Sequence, residues 1–212
     1  MSKIVLDHIS KKLGDNLILD DICLSLSSGQ VIGFQGINGS GKTMLMRVIA
    51  GLVLPSSGKV LIDGKELHKE IRFPQSMGIL LESPSFLDMY TGKKNLQLLS
   101  SLGPVIPEQE IDDLLREVGL FESKNRKYKK YSLGMKQRLG IAAAIMGNPD
   151  IILLDEPTNA LDTNGVSLVR ELILKQRERG ALLVVSCHDR DFLDDVSDVI
   201  YHIQEGRIID EA

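Results

Sequence analysis

The chain has 212 residues, of which 43% are hydrophobic and 25% charged, with a formal net charge of −4. That length supports one sizeable core and leaves no room for a second full domain, and the slight acidity excludes a general attraction to anionic surfaces, so no nucleic-acid partner is expected. The two cysteines, Cys23 and Cys187, have no C-x-x-C spacing, which fits free thiols in a reducing, cytoplasmic compartment. No apolar run approaches the roughly 18 residues of a spanning helix, and the first residues lack the apolar core of an export signal.

In chain order, residues 3–9 and 17–26 predict half-buried antiparallel strands, because Ile22, Leu24 and Leu26 alternate with Cys23, Ser25 and Ser27. Residues 31–35 form a short apolar run that reads as a buried strand, and residues 44–50 read as helix. Between them lies Gly36-Ile37-Asn38-Gly39-Ser40-Gly41-Lys42-Thr43, which fits the phosphate-loop pattern G-x-x-x-x-G-K-[ST]. Glycines at 36, 39 and 41 let the backbone fold tightly enough to aim several N–H groups inward, while the following helix presents its positive end to the same spot. Lys42 is then a mobile cation for the β- and γ-phosphates, and the Thr43 hydroxyl is placed for Mg²⁺. A nucleoside triphosphate is the implied ligand.

Residues 59–62 read as a strand closed by the Asp63-Gly64 turn, and residues 77–81 as another strand ending at Glu82-Ser83-Pro84. Helical patterns then fill residues 83–148, marking an inserted lobe. Within it Pro107 opens a helix with Ile111, Leu114, Leu115 and Val118 on one face and Gly119 as its stop. The basic run at residues 124–130 reads as a solvated connector. After Pro149 the α/β pattern returns, with a strand at 150–154, a helix at 163–179 stopped by Gly180, and a strand at 181–186. The expected architecture is a P-loop NTPase (RecA-like) α/β core, residues 1–82 and 149–212, with an N-terminal antiparallel β layer and an inserted α-helical subdomain, residues 83–148.

Ile151 to Leu154 form a continuous apolar run, as a central parallel strand requires, and deliver Asp155 and Glu156 to the carboxyl edge where such sheets hold ligands. Asp155 suits Mg²⁺, and Glu156 suits orienting and deprotonating the water that attacks the γ-phosphate. The next strand carries His188 to the same edge, where a histidine can sense that phosphate. Residues 159–162 read either as a turn ending in the helix N-cap Asp162 or as part of a functional loop.

Tyr131-Ser132-Leu133-Gly134-Met135-Lys136-Gln137-Arg138 opens a helix running through Ile145, and here the sequence resembles the signature segment, usually L-S-G-G-Q, of ATP-binding cassette ATPases. The Asp-Glu strand, the Ala-Leu-Asp loop and the switch histidine follow in the family's order, so the resemblance covers essentially the whole chain. It implies an ATPase that binds ATP and Mg²⁺ and pairs head to tail with a second cassette chain, expected to be an identical copy. Ser132 and Gly134 of one chain would then cap the γ-phosphate held by the other, with Asp162 in the switch loop at the dimer contact. It also implies separate transmembrane permease subunits, which place the chain on the inner face of the cell membrane. In the family their cytoplasmic helix docks on the segment corresponding to residues 82–102, where a partly apolar surface is expected.

Three departures narrow the resemblance. Leu133 and Met135 replace a signature glycine and the glutamine, as in ATPases of bacitracin-resistance and lantibiotic-immunity type exporters. Glu82 stands where the family has a metal-contacting glutamine, and Leu13 where it has an adenine-stacking aromatic. The expectation is therefore an exporter ATPase for a peptide antibiotic or other drug, with Glu82 as an additional Mg²⁺ ligand. The alternative is a soluble cassette ATPase acting in translation or DNA repair, although such relatives usually carry tandem cassettes or a coiled-coil insertion that this chain lacks.

Overall fold

The computed structural model describes residues 3–103 and 105–211. Strands β1 (Lys3–Leu13), β2 (Asn16–Ser27), β4 (Ser57–Ile62) and β5 (Lys65–Glu66) form an antiparallel sheet in the order β2-β1-β4-β5. A six-stranded sheet has the order β10-β9-β3-β8-β7-β6 and is built from β3 (Val31–Gln35), β6 (Met77–Leu80), β7 (Ile151–Asp155), β8 (Leu182–Ser186), β9 (Val199–Gln204) and β10 (Arg207–Glu211). Its β9, β3, β8, β7 and β6 run parallel, while β10 pairs antiparallel with β9. β7 and β8 are apolar on both faces because both faces are covered, as expected for central parallel strands.

The period of two in β7 and β8 divides the core between those faces. Ile151, Leu153, Leu182 and Val184 join Leu45, Met46 and Ile49 of α1 (Lys42–Ile49) and the inward residues of the antiparallel sheet. Ile152, Leu154, Leu183 and Val185 join the helices on the other side: α4 (Leu133–Ile145), α5 (Thr163–Glu178) and α6 (Arg190–Val196). The same cluster takes in Leu96 of α2 (Gly92–Ser100) and Ile111 and Leu115 of α3 (Glu108–Glu117). The helical segment thus shares one core with the sheet. α4 crosses β6 at backbone distance. A Cβ at Gly78 would collide with the Ala144 carbonyl, and one at Gly140 would come within 2.7 Å of Pro84 Cβ. Both glycines permit this approach by having no side chain.

The basic run differs from its expectation as a solvated connector. Lys124 Nζ donates to Asp112 Oδ2 at 2.8 Å and sits 3.8 Å from the centre of the Phe121 ring. Tyr128 is buried and its hydroxyl donates to the Pro84 carbonyl at 2.7 Å. The connector is therefore pinned at Lys124, on the Phe121 ring that precedes it, and at the buried Tyr128, while Arg126, Lys127, Lys129 and Lys130 are exposed as expected. No helix among the described residues is long and apolar enough to cross a membrane.

Candidate nucleotide site

The phosphate loop joins β3 to α1 as its sequence requires. Gly41 caps α1 with φ 112°, and Gly39 has φ 82°, conformations that strain a residue carrying a Cβ. Lys42 is buried and folds back over the loop, donating from Nζ to the carbonyls of Gly36 at 2.6 Å and Ile37 at 3.1 Å. An ammonium has three donors, so one remains for a phosphate oxygen. Gly36 and Ser40 do not line the cavity that Lys42 and Thr43 border but pack against each other, with Gly36 close to the Ile203 carbonyl of β9, and the Ser40 hydroxyl is buried with no hydrogen-bond partner among the described residues.

Thr43 Oγ1 donates to Asp155 Oδ2 at 2.7 Å, joining the first turn of α1 to the end of β7. Asp155 is buried, and its Oδ1 accepts from the Ser186 hydroxyl on β8. A buried carboxylate accepting from two hydroxyls is held rigidly where the loop ends. Glu156 follows with φ 49°, and its N–H donates to the Ser186 carbonyl at 2.8 Å. That left-handed conformation turns its side chain back toward the sheet edge, where Oε2 lies 2.7 Å from His188 Nδ1. Oε1 of the same carboxylate is buried with no hydrogen-bond partner among the described residues. Cys187, beside His188, is buried, and desolvation pushes its thiol pKa up.

Leu13, Ile18, Asn38, Lys42, Thr43, Arg47, Glu82, Asp155 and Glu156 line a cavity of about 380 Å³. The structure therefore gathers the predicted Asn38, Gly39, Gly41, Lys42, Thr43, Glu82, Asp155 and Glu156 around one space, with His188 attached through Glu156. It does not bring Ser132, Gly134 or Asp162 to that space. Ser132 caps α4, its Oγ accepting from Met135 N–H at 3.2 Å, and Gly134 lies against the Ala160 carbonyl. Asp162 caps α5, accepting from Gly165 N–H at 2.8 Å.

Three contributors escaped sequence reasoning. Gln137 is buried and donates to the carbonyls of Glu156 at 3.0 Å and Pro157 at 3.2 Å, tying α4 to the loop after β7. Ser186 was visible only as the one polar residue ending an apolar strand. Arg47 lies one helical turn beyond Thr43, so the i, i+4 spacing placed it on the cavity side of α1.

The sequence profile described as ABC transporter matches residues 19–159. The chain belongs to that family. Among curated ABC transporter proteins, it is 40% identical to the ATP-binding protein YybJ of Bacillus subtilis (strain 168), covering 95% of this chain and 92% of that protein. It is 36% identical to the bacitracin transport ATP-binding protein BcrA of Enterococcus faecalis, over 97% of this chain and 68% of the relative. The dimeric structure of MJ0796, a bacterial ABC transporter cassette, superposes with a TM-score of 0.89 at 25% identity, covering 99% of this chain and 97% of that one. The lantibiotic transport ATP-binding protein SrtF of Streptococcus pyogenes is a further relative at 34% identity, over 96% of this chain and 88% of its own length. This ABC transporter chain is thus an ATP-binding, ATP-hydrolysing subunit. Related cassettes dimerise.

Proposed function

We propose that this chain powers export of a peptide antibiotic or similar drug through separate permease subunits, hydrolysing ATP between two copies of itself. The observation that carries the reading is the 2.7 Å bond from Thr43 to Asp155, which sets a metal-ligand hydroxyl and a buried carboxylate side by side beneath the phosphate loop. These oxygens suit a hard divalent cation, and the exposed Glu82 carboxylate at the cavity edge adds a third. Bound there, Mg²⁺ would supply charge neutralisation on the phosphate oxygens.

The chain's own groups account for the rest. Loop N–H groups and Lys42 hold the β- and γ-phosphates. The Glu156 carboxylate, oriented by His188 at the cavity wall, is the group suited to take a proton from the attacking water. As that water bonds to the γ-phosphorus, the bond to the departing ADP oxygen breaks, giving ADP and inorganic phosphate.

The N-terminus of α4, with Ser132 exposed at its cap and Gly134 in its first turn, would offer N–H donors to a γ-phosphate held by a second copy. In this reading residues 1–82 and 149–212 bind nucleotide, residues 83–148 present the signature helix, and Asp162 holds the loop between them. Leu87, Met89, Tyr90, Leu99 and Leu102 are exposed in the expected docking segment and form an apolar surface suited to a permease helix at the inner membrane face. The names of BcrA and SrtF point to peptide antibiotics as the cargo.

ATP labelled at the γ-phosphate tests this reading. The chain should release the label to water as inorganic phosphate, and Lys42→Ala should lose both tight binding and release. Affinity isolation from membranes should bring down a polypeptide with several spanning helices. Label passed to an acceptor molecule, or a ribosomal or DNA-bound partner in place of the membrane polypeptide, would overturn it.

A further inference from the structure

Away from the nucleotide cavity, the pairing of β1 with β2 is interrupted at three steps, of which the first two adjoin. Leu6 pairs with Leu24 and Ile9 with Ile22, so Asp7 and His8 together face the single residue Cys23. Ile9 then pairs with Ile22 and Lys11 with Leu19, so Asp20 and Asp21 together face Ser10. At these two steps each strand carries one extra residue, and the extra residues are neighbours; β2 carries a further one, Ile18, opposite the step from Lys11 to Lys12. His8 has φ 53° and Asp21 φ 52°, left-handed conformations that strain a residue with a side chain. An ordinary ladder would need neither.

The bulges draw three side chains together. His8 Nδ1 lies 2.6 Å from Asp21 Oδ1, and the His8 N–H donates to Cys23 Sγ at 3.3 Å. One imidazole nitrogen, one carboxylate oxygen and the thiol sulfur all lie within 4.8 Å of one another, and all three residues are exposed. Asp7 lies next to His8 along β1 and adds negative charge beside the group, partly offset by Lys59 at 3.4 Å.

We infer that His8, Asp21 and Cys23 form a surface site for a borderline transition-metal ion, best matched by Zn²⁺. The donor set decides the class. Sulfur and imidazole nitrogen are poor ligands for Mg²⁺ or Ca²⁺, whereas one sulfur, one nitrogen and one oxygen suit Zn²⁺ with a water completing a tetrahedron. Binding would release the Cys23 proton to solvent, and the hydrogen between His8 Nδ1 and Asp21 Oδ1 would leave to solvent from an imidazolium or move to Nε2 of a neutral ring, so that Nδ1 and Oδ1 are free to ligate. The ion would clamp β1 to β2 where their ladder is weakest. Beyond that clamp the same strands run on to Leu13 and Ile18, which line the nucleotide cavity. A second group of metal-ligating residues, Glu156, Cys187 and His188, belongs to the catalytic site and serves as the internal comparison.

Cobalt titration of the full chain, in a non-thiol reductant, reads the site directly because a thiolate bound to Co²⁺ gives a charge-transfer band. The band should grow to one equivalent, persist in Cys187→Ser, and vanish in Cys23→Ser. His8→Gln and Asp21→Asn, both soluble-surface changes, should weaken binding by at least about tenfold. Zn²⁺ should displace Co²⁺ and raise the thermal unfolding midpoint of wild type while leaving that of Cys23→Ser unchanged. Absence of the band in wild type, its survival in Cys23→Ser, or its loss in Cys187→Ser alone overturns the inference.

Discussion

Arg47 Nη2 donates to Glu82 Oε1 at 2.5 Å, joining α1 to the segment that leaves β6 for the helical lobe. Both side chains are partly open to solvent, so the pair contributes little to stability, about 0–1 kcal/mol. Its weight falls on the cavity, because Arg47 competes with any bound cation for the carboxylate. Arg47→Ala should shift half-maximal hydrolysis to lower Mg²⁺, and Glu82→Gln should shift it to higher Mg²⁺ with partial activity retained. Glu82→Ala should lose most turnover while binding nucleotide nearly normally. Identical Mg²⁺ titrations for wild type and all three variants would show that Glu82 is only a surface glutamate.

Glu156→Gln keeps the shape of the side chain and its contact distance to His188 but removes the proton acceptor. Hydrolysis should slow by about 10²–10⁴-fold with ATP affinity preserved. With turnover blocked and Mg-ATP saturating, size-exclusion chromatography should show a dimer. A monomer under those conditions counts against pairing of identical chains.

Leu13 is half exposed and shares the cavity rim with Ile18, so the base meets aliphatic carbon where a stacked ring would add about 0.5–1.5 kcal/mol. GTP should therefore displace ATP within about tenfold of equal affinity, and Leu13→Tyr should tighten both nucleotides. Competition titration checks this. A preference for ATP beyond about a hundredfold would mean that a polar group reads the adenine.

Asp112 lies 2.8 Å from Lys124 Nζ and 2.9 Å from Lys93 Nζ, fastening α3 to α2 and to the basic connector. The hydrogen bond from Lys124, then that from Lys93, holds its carboxyl below the usual 3.8. A depressed folded-state pKa contributes stability that is complete above the unfolded value and is lost as pH falls through the folded one. Asp112→Asn should lower the melting midpoint near neutrality, with the difference from wild type closing as the pH drops below about 4. A difference that stays constant down to the lowest pH would remove the charge from the explanation.

The buried strands of the parallel sheet and the phosphate loop were legible because each combines a local pattern with a chemical demand: apolar runs at 151–154 and 182–185, each ending in a polar edge. β1 was read as ending at Ile9 because its alternation breaks there. The structure shows that the break is the double bulge at His8 and Asp21, after which the strand continues to Leu13. α2 carries Lys93, Lys94, Asn95 and Gln97, and it is secured by Asn95, which donates to the Leu87 carbonyl at 3.1 Å, a contact no periodicity announces. α6, β9 and β10 were missed for a related reason. The helix is short and rich in aspartate, and β9 mixes half-buried with buried positions because it lies next to the edge strand of the sheet. The roles of Arg47, Gln137 and Ser186 depend on partners at least 19 residues away in the chain.

The crossing of α4 over β6 has a mechanical meaning. With Ala144 seated on Gly78 and Gly140 on Pro84, the helix has its fulcrum in its C-terminal half, hard against the segment that contains Glu82. Ser132 sits at the opposite tip, and the whole helix, Leu133–Ile145, is a stiff rod of about 20 Å. Because Gln137 fastens the first half of the same helix to the carbonyls of Glu156 and Pro157, one rigid rod ties the segment that bears Glu82 to the loop after β7 and carries Ser132 at its free tip.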